Sequence, residues 1–343
     1  MASSNGWSSR PLRDCAVWFS GGTPNKATPR YWGGTIPWIS AKSITGFFIS
    51  NSEDRVTEDG ARNGTRLVPP NTILFIVRGM SLKSEFRIGI TTRPVTFNQD
   101  LKALVAVEDV VPAFLAYAIK AKTDAILGLV GEAGHGTGVL PTDRIQSLEI
   151  PTPSLPEQEA IAHILGALDD KIELNRRMNE TLEAIARALF KSWFIDFDPV
   201  RAKMEGRAPT CMDPATAALF PDALRDGVPE GWPVLPLDEA AHFLNGLALQ
   251  KYPAVNGEPS LPVVKITQLR VGSARGADRA NLTVPESHRV SDGDLIFSWS
   301  GSLLVRQWAG GTGALNQHLF KVTSDRFPQW LIHGWLRQHL PSF

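Results

Sequence analysis

LPEQEAIAHILGALDDKIELNRRMNETLEAIARALFKSWF, residues 155–194, is the stretch on which the reading of this chain turns. Ser154-Leu155-Pro156-Glu157 at its start has the S-x-x-E form of a capping box, and Pro156 falls in the first turn, where a missing N–H costs nothing. Apolar residues then recur at alternating steps of four and three: Ile161, Leu165, Leu168 and Ile172. After an interruption they resume at Leu182, Ala186, Leu189 and Trp193. Asn175 and Asn179 occupy the two slots between, giving a heptad seam with a polar pair that can fix register and orientation in helix pairing. DFDP at 196–199 ends the helix. At 1.5 Å per residue it would span about 60 Å. A seam this long predicts a partner helix; an ordinary surface helix, or two helices broken near Gly166, is the plainer alternative.

The stretches flanking this rod resemble each other. IPWISAKSIT (36–45) matches LPVVKITQLR (261–270), and VPPNTILFIVRG (68–79) matches VSDGDLIFSWSG (290–301). FNQDLKAL (97–104) matches LNQHLFKV (315–322), and VVPAFLAYAIKA (110–121) matches FPQWLIHGWLRQ (327–338). Four weak blocks in one order point to a duplicated unit. The first two pairs read as short β runs bounded by Gly, Pro and Asn, and the last as short helices. The predicted fold class is therefore α+β: two related αβ domains, 1–153 and 233–343, separated by a coiled-coil-type helix over 154–195 and a linker over 196–232. The linker assignment rests on its proline and turn residues.

Composition narrows the function classes. Lys plus Arg against Asp plus Glu runs 16 to 13 over residues 1–150, 9 to 14 over 151–231 and 10 to 8 over 232–343. The mildly basic flanks permit a nucleic-acid contact without requiring one. No uncharged apolar run approaches the roughly 18 residues of a membrane span, and the first residues lack a signal-peptide layout. Cys15 and Cys211 form no metal spacing, so a reduced, cytoplasmic protein without a metal site is expected.

The stretch from LPEQ to MEG (155–206), followed by TAALFPD and VPEGWP, resembles the central conserved region of type I restriction–modification specificity (S) subunits. GGTPNKATPRYWGGTIPWIS and GHGTGVLPTDRIQSLEIPTPSLPEQ resemble the start and end of their target-recognition domains. The resemblance covers essentially the whole chain. It implies two target-recognition domains, each reading one half of a split double-stranded DNA sequence, held apart by conserved helices that pair antiparallel. It also implies docking of methyltransferase (M) subunits and, for restriction, of motor-nuclease (R) subunits. Catalysis and the cofactors S-adenosylmethionine, ATP and Mg would then reside in those partners, with none in this chain. One departure matters: the sequence stops after LRQHLPSF, where the first copy continues into a closing segment and a rod. The second recognition domain is thus expected to be incomplete at its C-terminus. The unpaired seam is expected to meet a second copy or an M subunit, or to stay open as an association-prone surface.

No G-x-x-x-x-G-K-[ST] loop is present, and no Asn/Asp-Pro-Pro-aromatic tetrapeptide of adenine methyltransferases. GEAGHGTG (131–138) has nucleotide-loop glycine spacing but does not open a helix after a strand, so it reads as a flexible recognition loop. Base reading needs donors and acceptors on loops. In the first copy the candidates are Lys42 and Ser43, then Arg78, Ser81 and Lys83, then Asn98 and Gln99, with His135 in the glycine loop. In the second they are Lys265, Gln268 and Arg270, then Ser298, Ser300 and Arg306, then Asn316 and Gln317. The repeated Asn-Gln leans towards structure, because it recurs where specificity should differ. Two rivals stand beside the recognition subunit. One is a self-sufficient restriction or methyltransferase protein; the other is a truncated S-like protein that binds partner subunits without specific DNA recognition.

Overall fold

The computed structural model describes residues 6–133 and 136–342. The chain forms two compact units, Met1–Asn179 and Glu180–Phe343, and the boundary between them falls inside one long helix.

The first unit opens with β1 (Ser8–Pro11), β2 (Ala16–Ser20), β3 (Trp32–Ile39), β4 (Phe48–Ile49), β5 (Arg55–Val56) and helix α1 (Glu58–Arg62). It continues through β6 (Leu67–Val68), β7 (Ile73–Ile76), β8 (Arg78–Gly79), β9 (Ile88–Thr91), β10 (Val95–Phe97) and β11 (Leu101–Ala106). Helices α2 (Pro112–Lys120) and α3 (Thr123–Leu127), strands β12 (Gly131–Ala133) and β13 (Thr137–Val139), helix α4 (Thr142–Gln146) and β14 (Glu149–Thr152) follow. Two sheets carry the unit, in the orders β2-β11-β7-β9-β4 and β5-β3-β10-β6. Strand β7 is ILFI, buried on both faces, as the central strand of a covered sheet requires. It contributes Ile73, Leu74, Phe75 and Ile76 to one core with Leu101, Leu104, Leu115 and Ile119.

Helix α5 (Leu155–Phe194) runs 40 residues without a break at Gly166. At its start the Glu157 carboxylate accepts from the Ser154 backbone N–H at 3.0 Å and from the Ser154 hydroxyl at 2.7 Å. Those bonds hold the Glu157 carboxyl below the usual carboxylate range. The capping glutamate is thus in place, although the serine oxygen donates to it rather than accepting from the helix. Gln158 is the buried residue of the helix. Its amide accepts from the Val111 N–H at 2.9 Å and donates to the carbonyls of Pro153 and Asp109, which fixes α5 to the first turn of α2. Tyr117 donates to Asp169 at 2.9 Å, and burial, with Asp169 beside it, pushes the phenol's pKa up.

The second unit begins with the end of α5 and α6 (Asp198–Met204), α7 (Pro214–Ala218), the hairpin β15 (Leu224–Arg225) and β16 (Val228–Pro229), and α8 (Leu237–Ala240). Then come β17 (His242–Asn245), β18 (Ser260–Val264), α9 (Ile266–Val271), β19 (Arg279–Asn281), β20 (Arg289–Val290), β21 (Leu295–Ser298) and β22 (Leu304–Gln307). Strands β23 (Gly313–Leu315) and β24 (Leu319–Thr323) and helix α10 (Gln329–His339) close it. The sheets run β17-β24-β21-β22 and β19-β18-β23-β20. The stretch 196–232, expected as a linker, is folded. Pro199 and Pro214 sit in the first turns of α6 and α7, where proline starts a helix instead of breaking one. Phe197, in a left-handed conformation, turns the chain out of α5. Trp193, Phe194, Phe220 and Trp232 form an aromatic cluster with ring centroids about 6 Å apart.

The two units share a framework in register. The parallel pair β3–β10 matches Trp38 to Thr96 and Ile39 to Phe97; the parallel pair β18–β23 matches Val263 to Ala314 and Val264 to Leu315. Leu101 faces Ile76 in one unit and Leu319 faces Ser298 in the other. These pairings reproduce the offsets read between the sequence blocks. Gly21 and Gly246 occupy one position of the frame: a Cβ on the first would lie 2.3 Å from the Phe97 oxygen, and on the second 2.2 Å from the Asn316 oxygen.

Candidate nucleic-acid interface

In the first unit, β3 ends in a tight turn, Ala41–Ser43, that carries Lys42 and Ser43. The Ser43 hydroxyl accepts from the Ser40 N–H at 3.2 Å and bonds Ser52 at 2.9 Å, so it closes the turn. Lys42 is exposed and lies 3.4 Å from both Glu53 and Asp54, which raise its pKa. The neighbouring strand β10 runs into Asn98-Gln99-Asp100. Asn98 is buried and bonds both the side chain and the N–H of Asp100. Gln99 is exposed and accepts from Thr23 at 2.7 Å.

The Asp100 carbonyl accepts from the N–H groups of Val77 and Arg78. That contact brings Arg78 beside the same turn. Arg78 is exposed on β8, which pairs with β13, and no polar partner of its guanidinium appears among the described residues. GEAGHGTG, expected as a flexible loop, instead supplies the β12–β13 ribbon, whose register pairs Gly131 with Val139. Lys83, exposed beside half-buried Ser81, reaches Glu132 on that ribbon at 2.5 Å. His135 lies outside the described residues. The first unit therefore gathers Lys42, Gln99, Arg78, Ser81 and Lys83 around the ends of β3, β7 and β10.

The second unit uses the same strand ends differently. The run LPVVKITQLR, expected as β ending in polar residues, leaves the sheet at Val264 and becomes α9. Gln268 accepts from the Lys265 N–H at 3.3 Å to cap that helix. Lys265 pairs with Asp278, the framework equivalent of Asp54: their carbonyls accept from Val263 and Trp38 respectively. Two lysines from positions two residues apart in the frame thus pair with equivalent aspartates, Asp54 and Asp278. Arg306, expected as a reader, donates to the Arg270 carbonyl at 2.7 Å and satisfies the C-terminal turn of α9. Ser298 departs most from expectation. It is fully buried, with its hydroxyl bonded to the Ser302 carbonyl at 2.9 Å, so it shapes the turn after β21 and presents nothing outward. Ser300 is half-buried, and Arg270 donates to the Ser302 hydroxyl at 2.8 Å. Gln317 is half-buried beside His318. Trp299, exposed on this turn, differs from the first copy at its matched position, as Ser300 differs from Arg78.

The helical seam divides into three parts. Ile161 and Leu165 are half-buried, and Leu165 packs on the first unit's core. Leu189 and Trp193 are half-buried, and Trp193 packs edge-on against Phe220 in the second unit. Between them Leu168, Ile172 and Leu182 stay open with Asn175 and Asn179, joined by a second apolar row of Ile164, Leu174, Met178 and Ile185. Among the described residues no group of three or more His, Cys, Asp or Glu is placed to hold a metal ion, and no helix is long and apolar enough to cross a membrane.

Residues 4–184 match the family described as type I restriction modification DNA specificity domain. The MjaIX type I restriction enzyme specificity subunit of Methanocaldococcus jannaschii is 29% identical over 309 residues, covering 87% of this chain and 67% of that protein. The EcoR124I/EcoR124II specificity subunit of Escherichia coli is 31% identical over 162 residues, covering 47% of this chain and 40% of that one. The chain thus spans about two-thirds of the first relative's length and less of the second. The type I restriction–modification S subunit of M. genitalium shares the fold, with a TM-score of 0.52 at 15% identity over 100% of this chain and 79% of that one.

Proposed function

The chain belongs to the type I restriction–modification DNA specificity family, and on that premise we propose that it is the non-catalytic subunit that recognises a bipartite DNA target and docks methyltransferase subunits. The observation that carries this reading is the pair of frameworks in one register whose matched strand-end residues differ. After β7 the chain presents Val77-Arg78-Gly79, and after the equivalent β21 it presents Trp299-Ser300-Gly301. A protein that reads two half-sites with two copies of one fold needs this division, with constant strands and variable strand ends. The half-sites would be engaged on one duplex. S-adenosylmethionine, ATP and Mg would act in the partner subunits.

The open middle of α5 supports the docking half of the proposal. Covering a side chain such as Leu168 or Ile172 gains about 1.5–3 kcal/mol, so several in a row along one helix face favour a helical partner. An M subunit or a second copy of this chain meets that requirement, and R subunits would join the assembled complex. The DNA-reading half is tested with Arg78→Ala in the assembled complex. Arginine reading a guanine edge is worth about 1–3 kcal/mol, lost at one position of one half-site only. Equal weakening on every sequence would make Arg78 a phosphate contact instead.

A further inference from the structure

Trp299 is a large apolar side chain that the second unit exposes on the turn after β21. It is 45% exposed, whereas Val77 at the equivalent position of the first unit is 8% exposed. The turn that carries it is closed by local bonding: Ser298 ties its hydroxyl to the Ser302 carbonyl, and Gly301 takes the left-handed conformation. One side of the ring is braced by His318 and Phe320, each with centroids 6.0 Å away at interplanar angles of 47° and 39°. Arg270, hydrogen-bonded to Ser302, sets a cation beside the same turn.

We infer that Trp299 is a specificity-determining residue of the second unit, whose exposed face packs on the C5 methyl of a thymine in the major groove. A braced ring offers a fixed apolar face and cannot swing free as a wedge between base pairs, and the thymine methyl is the apolar feature that the major groove displays. His318 beside it offers a nitrogen to the same or the next base edge, and Arg270 supplies charge towards the backbone. The two copies would thus read by different chemistry: hydrogen bonding from Arg78 in the first, and apolar contact from Trp299 in the second. This inference rests on the DNA-reading proposal above.

The test uses the full chain assembled with its methyltransferase subunit. A duplex site is selected from a randomised library, and each thymine in it is then replaced in turn by deoxyuridine, which lacks the methyl. Wild type is expected to lose about fourfold in affinity at one position of one half-site, the value of one buried methyl. Trp299→Ala is expected to bind more weakly and to be indifferent to deoxyuridine at that position, while Trp299→Phe keeps part of the sensitivity and guards against a folding defect. A selected site without a methyl-sensitive thymine overturns the inference while leaving DNA reading intact. So does a Trp299→Ala protein that keeps the wild-type sensitivity throughout, or one weakened equally on all sequences. Failure of wild type to select any sequence overturns the DNA-reading proposal itself.

Discussion

The turn after β7 and the turn after β21 leave their sheets at the same point of the same framework, yet they do different things with it. In the first unit Val77 points into the core and Arg78 faces out, supported from behind by the Asp100 carbonyl. In the second the inward residue is Ser298, one step earlier, and Trp299 faces out over His318 and Phe320. The position of Phe320 in the frame is held by Lys102 in the first unit, which bonds Ser20 across the β2–β11 pair. What is constant between the units is hydrogen-bonding geometry and burial in the strands. What varies is the side chain turned outward at each strand end, Arg78 in one unit and Trp299 in the other. A fold that separates the two in this way lets the outward side chains change without disturbing the strands.

Matched substitutions can break that comparison. The largest effect is expected at Gly21→Ala and Gly246→Ala, where the new Cβ meets a backbone oxygen and the backbone must shift to admit it. Each should cost about 3 kcal/mol in its own unit's unfolding by urea, against almost nothing for Gly46→Ala, where the space is open. If only one of the pair responds, the units do not share a load-carrying frame at this point. Next come Asn98→Ala and Asn316→Ala. Each removes a buried amide that satisfies the backbone N–H two residues on, and each should cost about 1–3 kcal/mol. Neither should change the selected DNA sequence, and a change at either would move the Asn-Gln repeat from framework to readout.

A third substitution sharpens an asymmetry. His333 on α10 has a buried Nε2 without a hydrogen-bond partner among the described residues. Burial pushes the pKa of its imidazole down, Arg337 adds to the effect and Glu183 opposes it. Because the folded state holds the pKa below its unfolded value, the unfolded chain binds the proton more readily. Stability of the second unit should therefore be full above the ordinary imidazole value and fall as pH drops through it. His333→Leu should flatten the dependence of the melting temperature between about pH 7 and 5; an unchanged slope would assign it to another group. The smallest effect is expected at Asp54→Asn and Asp278→Asn. These break exposed lysine pairs and should shift stability by less than about 1 kcal/mol. If Lys42 and Lys265 touch phosphates, both variants should bind all sequences more tightly in low salt, by similar factors.

The long helix and the duplication were legible in the sequence because both are periodic or repeated signals. A capping glutamate, a heptad seam and four matched blocks each follow from local chemistry, and the helix ends and strand registers agree with them. The stretch 196–232 reads as a linker because proline marks helix starts and chain breaks alike; in the structure Pro199 and Pro214 open short helices beside the aromatic cluster at the end of α5. Gln158 gave no periodic signal; its role depends on Asp109 and Val111, far away in sequence.

The same division holds at the candidate interface. Residue type and loop placement nominated Arg78, Lys83, Ser298 and Arg306 alike, because a donor on a strand end looks the same in sequence whether it faces outward or inward. Tertiary structure separated them. Arg78 is left open, Lys83 meets Glu132, Ser298 is buried in its own turn and Arg306 is spent on the end of α9. It also decided which part of the α5 seam remains available, since Leu165 and Trp193 are covered by their own units while Leu168 and Leu182 are not. The sequence by itself determined the long helix, the order of the matched blocks and their duplication, because those depend on short-range spacing and repetition. Which side chains remain free to meet a partner depends on long-range burial and hydrogen bonding, which only the folded chain sets.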